Sequence, residues 1–388
     1  MKLIEVNTPA LAQEFLMTQV RLLKKDPNYI RPLDNDIESV FDPKKNKLLR
    51  DGDAIRWILQ DDKGNSIGRV AAFINKKTAN TFEQPTGGMG FFDCINDQAA
   101  ANMLFDACRD WLKERGMEAM DGPINFGDRD RWWGLLAEGF YPPTYTMNYN
   151  PSYYVQLMES YGFQVFFKQH VYYRKIEGRL DDEVYRKAET ILNNPDYEFR
   201  HMSKKELDKY ALDFREVYNK AWTKHEGVKG MSESQAKSIM KQLKPILDER
   251  IVWFGYYKGE PISFFVNLPE LNQLFKYVNG KLDTWGKIKF AFHRWRGACT
   301  GMFGLVFGVA PEHQRKGVEA AMIIASSKTI QYDKSLPYKE MQMNWIGDFN
   351  PKMMNVAAQV GGEILKTYHT YRYLFDRNKE FKRAKIIH

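Results

Sequence analysis

The chain has 388 residues, enough for two ordinary cores, and its 44% hydrophobic and 27% charged content without a low-complexity tract excludes the disordered and fibrous classes. The formal charge of +8 comes from dispersed Lys and Arg, which suits an anionic small ligand and disfavours a nucleic-acid partner, since no concentrated basic stripe is present. No apolar run reaches membrane-spanning length, the N-terminal MKLIEVNTPALAQEF lacks a signal peptide's apolar core, and Cys94, Cys108 and Cys299 are unclustered, so the expectation is a cytoplasmic protein without membrane partner, disulfide or metal.

Residues 10–23 carry a helical pattern, and a loop rich in Pro, Asp and Asn follows. Strand-like runs at 55–59 and 67–73 flank the hairpin signal Asp61-Asp62-Lys63-Gly64-Asn65, and Gly90-Phe91-Phe92 reads as a third strand. Residues 97–115 form a helix capped by Asp97 or Asn96 and closed by Gly116, with a short strand after it at 118–120. The stretch 122–150, GPINFGDRDRWWGLLAEGFYPPTYTMNYN, is long and dense in Gly, Pro and aromatics, as functional loops are. Arg129, Asp130, Arg131, Trp132 and Trp133 are candidates to line a pocket there; the alternative is that the aromatics pack the two halves together. Asn150-Pro151 opens a helix that ends at Gly162-Phe163, and residues 166–174 return as a strand.

The second half repeats this order. After a charged connection, 177–189, come a strand at 197–200, helices at 203–222 and 232–247, and strands at 251–256 and 261–266 around the turn Lys258-Gly259-Glu260. An insertion, 268–296, precedes MFGLVFGVAPEHQRKGVEAAMII at 302–324, which reads as strand, polar turn and helix. Free N–H groups at that turn, with Arg315 and Lys316 beside them, suit a pyrophosphate. A strand at 339–345, a helix opened by Asn350-Pro351 and ended by Gly361-Gly362, and a strand at 368–375 complete the chain.

The segment Val-x-Pro-x-x-Gln-Arg-x-Gly-Val between strand and helix resembles the acyl-CoA pyrophosphate loop of the GNAT N-acetyltransferase superfamily, whose pattern is Gln/Arg-x-x-Gly-x-Gly/Ala. Gln314 and Gly317 match it, whereas Glu319 stands where the family has a small residue. With Asn150-Pro151 and Asn350-Pro351 at equivalent places, the resemblance implies an α/β (α+β) fold of two tandem GNAT-like domains, 1–176 and 177–388, each a mixed central sheet flanked by helices. The first copy has no glycine opening its helix after Phe92, and Asp93 and Asp97 would repel a pyrophosphate and occupy the helix amides, so the cofactor belongs to the second copy.

The activity so implied is N-acyl transfer from acetyl-CoA or another acyl-CoA to the amine of a small molecule or peptide. Phe307, Gly308 and Val309 would pair with the pantetheine arm, and Gln314, Arg315, Lys316, Gly317 and Val318 would hold the phosphates. Asn350 is either a second holder of the arm or a plain helix cap. Strand alternation puts Glu340, Gln342 and Asn344 on one face and Met341, Met343 and Trp345 on the other. If the polar face opens on the acceptor channel, Glu340 is the general base; otherwise it pairs with a lysine. Many family members carry a tyrosine acid seven residues after the asparagine, where this chain has Ala357; Tyr368, His369 and Tyr371 on the next strand are the substitutes, Tyr371 being taken as the acid. Asn219 and Trp222, with His225 nearby and with Gln342 and Asn344, would shape the acceptor pocket. The alternative function is a non-catalytic GNAT-fold ligand- or partner-binding protein, for which Glu319 and Ala357 speak. Aminoacyl transfer from tRNA ranks below both because the basic stripe is missing.

Overall fold

The computed structural model describes residues 1–178, 180–222 and 230–387. Its first half runs β1 (Lys2–Glu5), α1 (Pro9–Leu23), α2 (Asp34–Phe41), β2 (Asp53–Gln60), β3 (Ser66–Ile74), β4 (Thr86–Cys94), α3 (Gln98–Lys113), β5 (Ala119–Gly122), β6 (Leu135–Glu138), α4 (Tyr154–Tyr161) and β7 (Gln164–Lys175). The second runs α5 (Asp182–Leu192), β8 (Tyr197–His201), α6 (Leu207–Trp222), α7 (Glu233–Leu243), β9 (Val252–Tyr257), β10 (Glu260–Pro269), α8 (Asn272–Phe275) and α9 (Thr284–Trp295). It ends with β11 (Gly301–Val309), α10 (Val318–Tyr332), β12 (Glu340–Met343), β13 (Ile346–Gly347), α11 (Pro351–Gln359) and β14 (Glu363–Leu374).

Local chemistry accounts for many boundaries. Asp97 accepts from the Ala100 amide and starts α3, Ser232 and Gln235 form a reciprocal capping box on α7, and Gly162 at φ +109° turns the chain out of α4. The stretch read as a charged connection contains α5, whose Val184, Ala188 and Ile191 are buried against α10.

All the strands join one mixed sheet, ordered β1-β2-β3-β4-β5-β14-β7-β12-β11-β10-β9-β8, with β6 and β13 on the flanks of β14 and β7. Each half contributes one parallel pair, β4 with β5 and β11 with β12. The sequence puts each returning strand in its own half, but the structure exchanges them. β14 lies beside β5, β7 lies beside β12, and the two exchanged strands pair with each other along the join. A bidentate ion pair buried at this join, Arg372 to Asp121 at 2.6 and 2.8 Å, ties the end of the chain to the first half's sheet. Each half therefore completes the other's sheet, which rules out isolated halves as material for assigning the cofactor to one of them.

The long loop between β5 and α4 also belongs to the join. Trp132 is buried against Phe91 and Phe126, Trp345 donates to the Arg129 carbonyl at 3.0 Å, and Asn272 donates to the Pro143 carbonyl at 2.8 Å. Of the two readings of this loop, the pocket one holds for Arg129 and Trp133, which border a cavity of about 570 Å³, whereas Trp132 packs within the first half's own core.

Candidate active-site cleft in the second half

The parallel register of β11 and β12 lasts only from Gly301 opposite Glu340 to Gly304 opposite Met343. One further bond, Asn344 N–H to the Gly304 carbonyl at 2.7 Å, closes the pair. The chain then swings into β13, which pairs with Gln169 and His170 of β7. Beyond Gly304, β11 continues to Val309 with β10 on one side and, among the described residues, no strand on the other, so the sheet splays. Phe307, Gly308 and Val309 thus lie on an open edge, as the family comparison anticipates.

A cavity of about 350 Å³ fills this splay, roofed by α10 and α11. Its wall is mostly apolar: Phe265, Met302, Phe307, Ile323, Met341 and Met343 on one side, Met353, Val356 and Ala357 on the other. Arg174, from the exchanged β7, borders it with its guanidinium donating to the Val360 carbonyl at 2.6 Å. Sequence reasoning named Phe307 for the pantetheine arm, Ala357 for the missing tyrosine and Met341 and Met343 for a non-polar face, but passed over Phe265, Met302, Ile323, Met353 and Val356.

The loop from β11 to α10 has two left-handed residues, Arg315 at φ +61° and Gly317 at φ +95°. Successive amides in such a turn form a concavity for an anion at the start of α10. Arg315 and Lys316 are exposed and make no ion pair among the described residues, whereas Val318 is buried in the core. Gln314 is committed to the protein, its amide donating to the Val309 carbonyl at 2.9 Å. Gly317 has a structural reason besides φ, because a Cβ there would strike the Lys187 carbonyl of α5.

Glu319 sits half-buried in the first turn of α10. Aimed at a bound phosphate about 4 Å away at an effective dielectric of about 20, its charge would cost on the order of 4 kcal/mol; radiating from the axis, it costs far less. Glu319→Gln should therefore tighten CoA binding by no more than about tenfold in a calorimetric titration. Binding by the variant with none by the native chain would mean that this carboxylate closes the loop.

The remaining sequence candidates separate. Asn350 borders the cleft, but its side chain accepts from the Met353 amide at 3.3 Å, the cap reading. Asn344 also borders the cleft, because β12 ends at Met343 and the expected alternation stops before it. Glu340 and Gln342 face away into a polar cluster: Glu340 accepts from Gln273 at 3.2 Å, and Gln342 accepts from the Lys366 ammonium at 2.9 Å. This face is closed by β14 and by the turn around Glu270, so it is no acceptor channel, and Glu340 is not placed as a base.

Tyr371 is carried off by the strand exchange. It sits in the first half's core, opposite Gly122 and Val165, with its hydroxyl donating to Glu159 at 3.0 Å, and so does not reach the cleft as an acid. His369, also buried, contacts the Tyr371 hydroxyl at 3.2 Å, and burial pushes its imidazole below the ordinary range. Asn219 exchanges two hydrogen bonds with the backbone of Met231, fixing the start of α7 to α6. Trp222 ends α6, and His225 lies outside the described residues.

Among the described residues the splay has no counterpart at the equivalent place in the first half; the separate cavity of about 570 Å³ lies against Gly88, Asp121, Arg129 and Trp133, with Arg372 of the exchanged β14 on its wall. After β5 the chain follows β4, with the Ile124 amide on the Met89 carbonyl at 2.8 Å, so its splay is filled. Asp97 occupies the α3 amides as anticipated, while Asp93 differs: it forms a buried ion pair with Arg69 at 2.8 Å.

No protein-family model matches the chain. Over 379 residues, 96% of this chain and 97% of the relative, it is 28% identical to the bacterial ceramide synthase of Caulobacter vibrioides. It is 25% identical over 374 residues to protein YghO of Escherichia coli, covering 92% of this chain and 91% of that one. Among solved structures, a tandem GNAT protein from the clavulanic acid biosynthesis pathway superposes with a TM-score of 0.53 at 10% identity, covering 96% of this chain and 99% of that chain. With the two parallel strand pairs, the open edge at Leu305–Val309 and the loop at Gly317, that likeness shows that the chain has a tandem GNAT fold.

Proposed function

We propose that the protein is an N-acyltransferase that moves a long acyl chain, rather than an acetyl group, from CoA to the amine of an amphipathic acceptor of the long-chain amino-alcohol kind. The observation that carries this reading is the apolar cavity at the strand splay. Its volume of about 350 Å³ is of the class that encloses drug-sized ligands, far more than two carbons need. The relatedness to a bacterial ceramide synthase along nearly the whole chain supports the same chemistry, a ceramide being a long-chain base with a fatty acyl group on its nitrogen.

In this reading the open edge of β11 hydrogen-bonds the pantetheine arm, and the amides before α10, with Arg315 and Lys316, hold the phosphates. The amine nitrogen bonds to the thioester carbonyl carbon, the C–S bond breaks with its electron pair on sulfur, and the surplus proton of nitrogen passes to that sulfur directly or through water. Among the described residues, those that line the cleft include no carboxylate and no imidazole. Positioning and an amine that arrives neutral, its ammonium disfavoured by the apolar wall, then carry the rate.

The test is to supply palmitoyl-CoA and sphinganine and to follow thiol release together with the mass of the amide. Stoichiometric amide and thiol, with a rate that rises from pH 6 to 8 as the amine loses its proton, is the expected result. Thiol release without amide, or no turnover with any amine, would favour the binding-protein alternative.

A further inference from the structure

Helix α9, within the insertion before β11, is amphipathic in an unusual sense: its apolar face points outward. Trp285, Ile288, Phe292 and Trp295 recur three, four and three residues apart, hence on one side, and all four are exposed, the two tryptophans by 72% and 81%. The opposite side fixes the helix to the protein. Gly286 is buried where a Cβ would strike the Lys281 carbonyl, Phe290 packs on Phe275 at 5.4 Å between ring centres, and Arg294 donates to the Pro245 carbonyl at 2.9 Å. The outward row is therefore displayed by a firmly seated helix and is not needed by the core.

Lys287 flanks the apolar row on one side, and Lys289 and Arg296 flank it on the other. From Lys281 to Arg296 the only carboxylate is Asp283, which caps the helix by accepting from Gly286.

We propose that α9 is an interfacial helix that seats the protein on an anionic lipid surface. A non-polar stripe with tryptophan at each end, bordered by cations, matches the acyl boundary and the charged headgroups of one leaflet. A second copy fits less well. A two-fold contact sets a patch against itself, so Lys287, Lys289 and Arg296 would face their own equivalents. The inner face also bears on the cleft, since Phe290 packs on the core cluster containing Met302, Ile330 and Met341, three residues of the cavity wall. This inference goes against the sequence-based expectation of no membrane partner. It concerns attachment to the surface, and among the described residues no helix is long and apolar enough to cross a bilayer.

The full chain is floated with vesicles of phosphatidylcholine and phosphatidylglycerol, and with phosphatidylcholine alone. Native protein should float with the anionic vesicles and be released by salt. Trp285→Ser/Trp295→Ser should lose at least tenfold in partition on both kinds of vesicle, and Lys287→Glu/Lys289→Glu should lose the preference for anionic ones. Unchanged melting temperatures check that both variants fold, as their exposure leads one to expect. Equal flotation of native and Trp-substituted chains would overturn the proposal. So would absence of flotation, whether or not sedimentation shows self-association through this face. The outcome does not depend on acyl transfer, so loss of either reading leaves the other testable.

Discussion

Lengthening the acyl chain of an acyl-CoA from acetyl to octanoyl should strengthen its binding at least about a hundredfold. Six added methylenes, at about 0.8 kcal/mol each when fully buried, amount to roughly 5 kcal/mol of transfer free energy. Ordering the chain takes back part of this, at about 0.5–1.5 kcal/mol for an immobilised flexible group, so the hundredfold figure keeps about 3 kcal/mol of it. The cavity wall of Phe265, Met302, Met341, Met343, Met353 and Val356 provides the contacts, and thioether side chains adapt to a flexible guest at little cost. Calorimetric titration with acetyl-, butanoyl-, hexanoyl- and octanoyl-CoA reads the slope directly. An affinity independent of chain length would place the acyl group outside the cavity.

Lys366→Met should destabilise the protein by about 3–5 kcal/mol, the usual consequence of removing one member of a buried charged group. Lys366 is fully buried on β14, and its ammonium donates to the Pro142 carbonyl at 2.6 Å and to Gln342 at 2.9 Å. Burial pulls its pKa down, opposed by the negative charges of Glu270 and Glu340; burial likewise pushes the Glu270 carboxyl up, opposed by amide hydrogen bonds from Asn272 and Tyr145 and by Lys366. Without Lys366, Glu270 must either carry a buried negative charge with less compensation or take up a proton, and one of its oxygens has no partner among the described residues even in the native chain.

The pH dependence has a definite sign. A raised carboxyl pKa means that the folded variant holds a proton that the unfolded chain, with a value of about 4.3, gives up. Stability then falls as pH rises from that value through the raised one, so the defect should be smaller at pH 5 than at pH 7.5. Urea denaturation at both values measures it, and Glu270→Gln/Lys366→Met should recover much of the loss. A single variant as stable as the native chain would mean that water already reaches this cluster.

What the sequence showed was mostly local. Asp97 as a helix cap, the turn after Asp61 and Asn350 before its helix are set by hydrogen bonds and dihedrals within a few residues, and each appears where the residue types put it. What it concealed depends on partners far along the chain. Tyr371 left the cleft because β14 pairs with β5, and Glu340 lost its channel because Lys366 and Gln273 arrive from other elements. Asn344 was misassigned to the polar face because the strand ends one residue before it. The row on α9 was a different case. Its three- and four-residue spacing was visible in the sequence, but only the structure shows that it faces outward.

The central claim is that the cleft between β11 and β12 holds the acyl chain during transfer, and Ser327→Trp tests it most directly. Ser327 lines the cavity from α10 and is half-exposed, so an indole there takes up the space of the chain without entering the main core. The account predicts that palmitoyl transfer to sphinganine falls at least about thirtyfold, roughly 2 kcal/mol, while CoA itself, held by the loop at Gly317, binds within about threefold of the native affinity. Transfer at the native rate by a folded Ser327→Trp chain would contradict it.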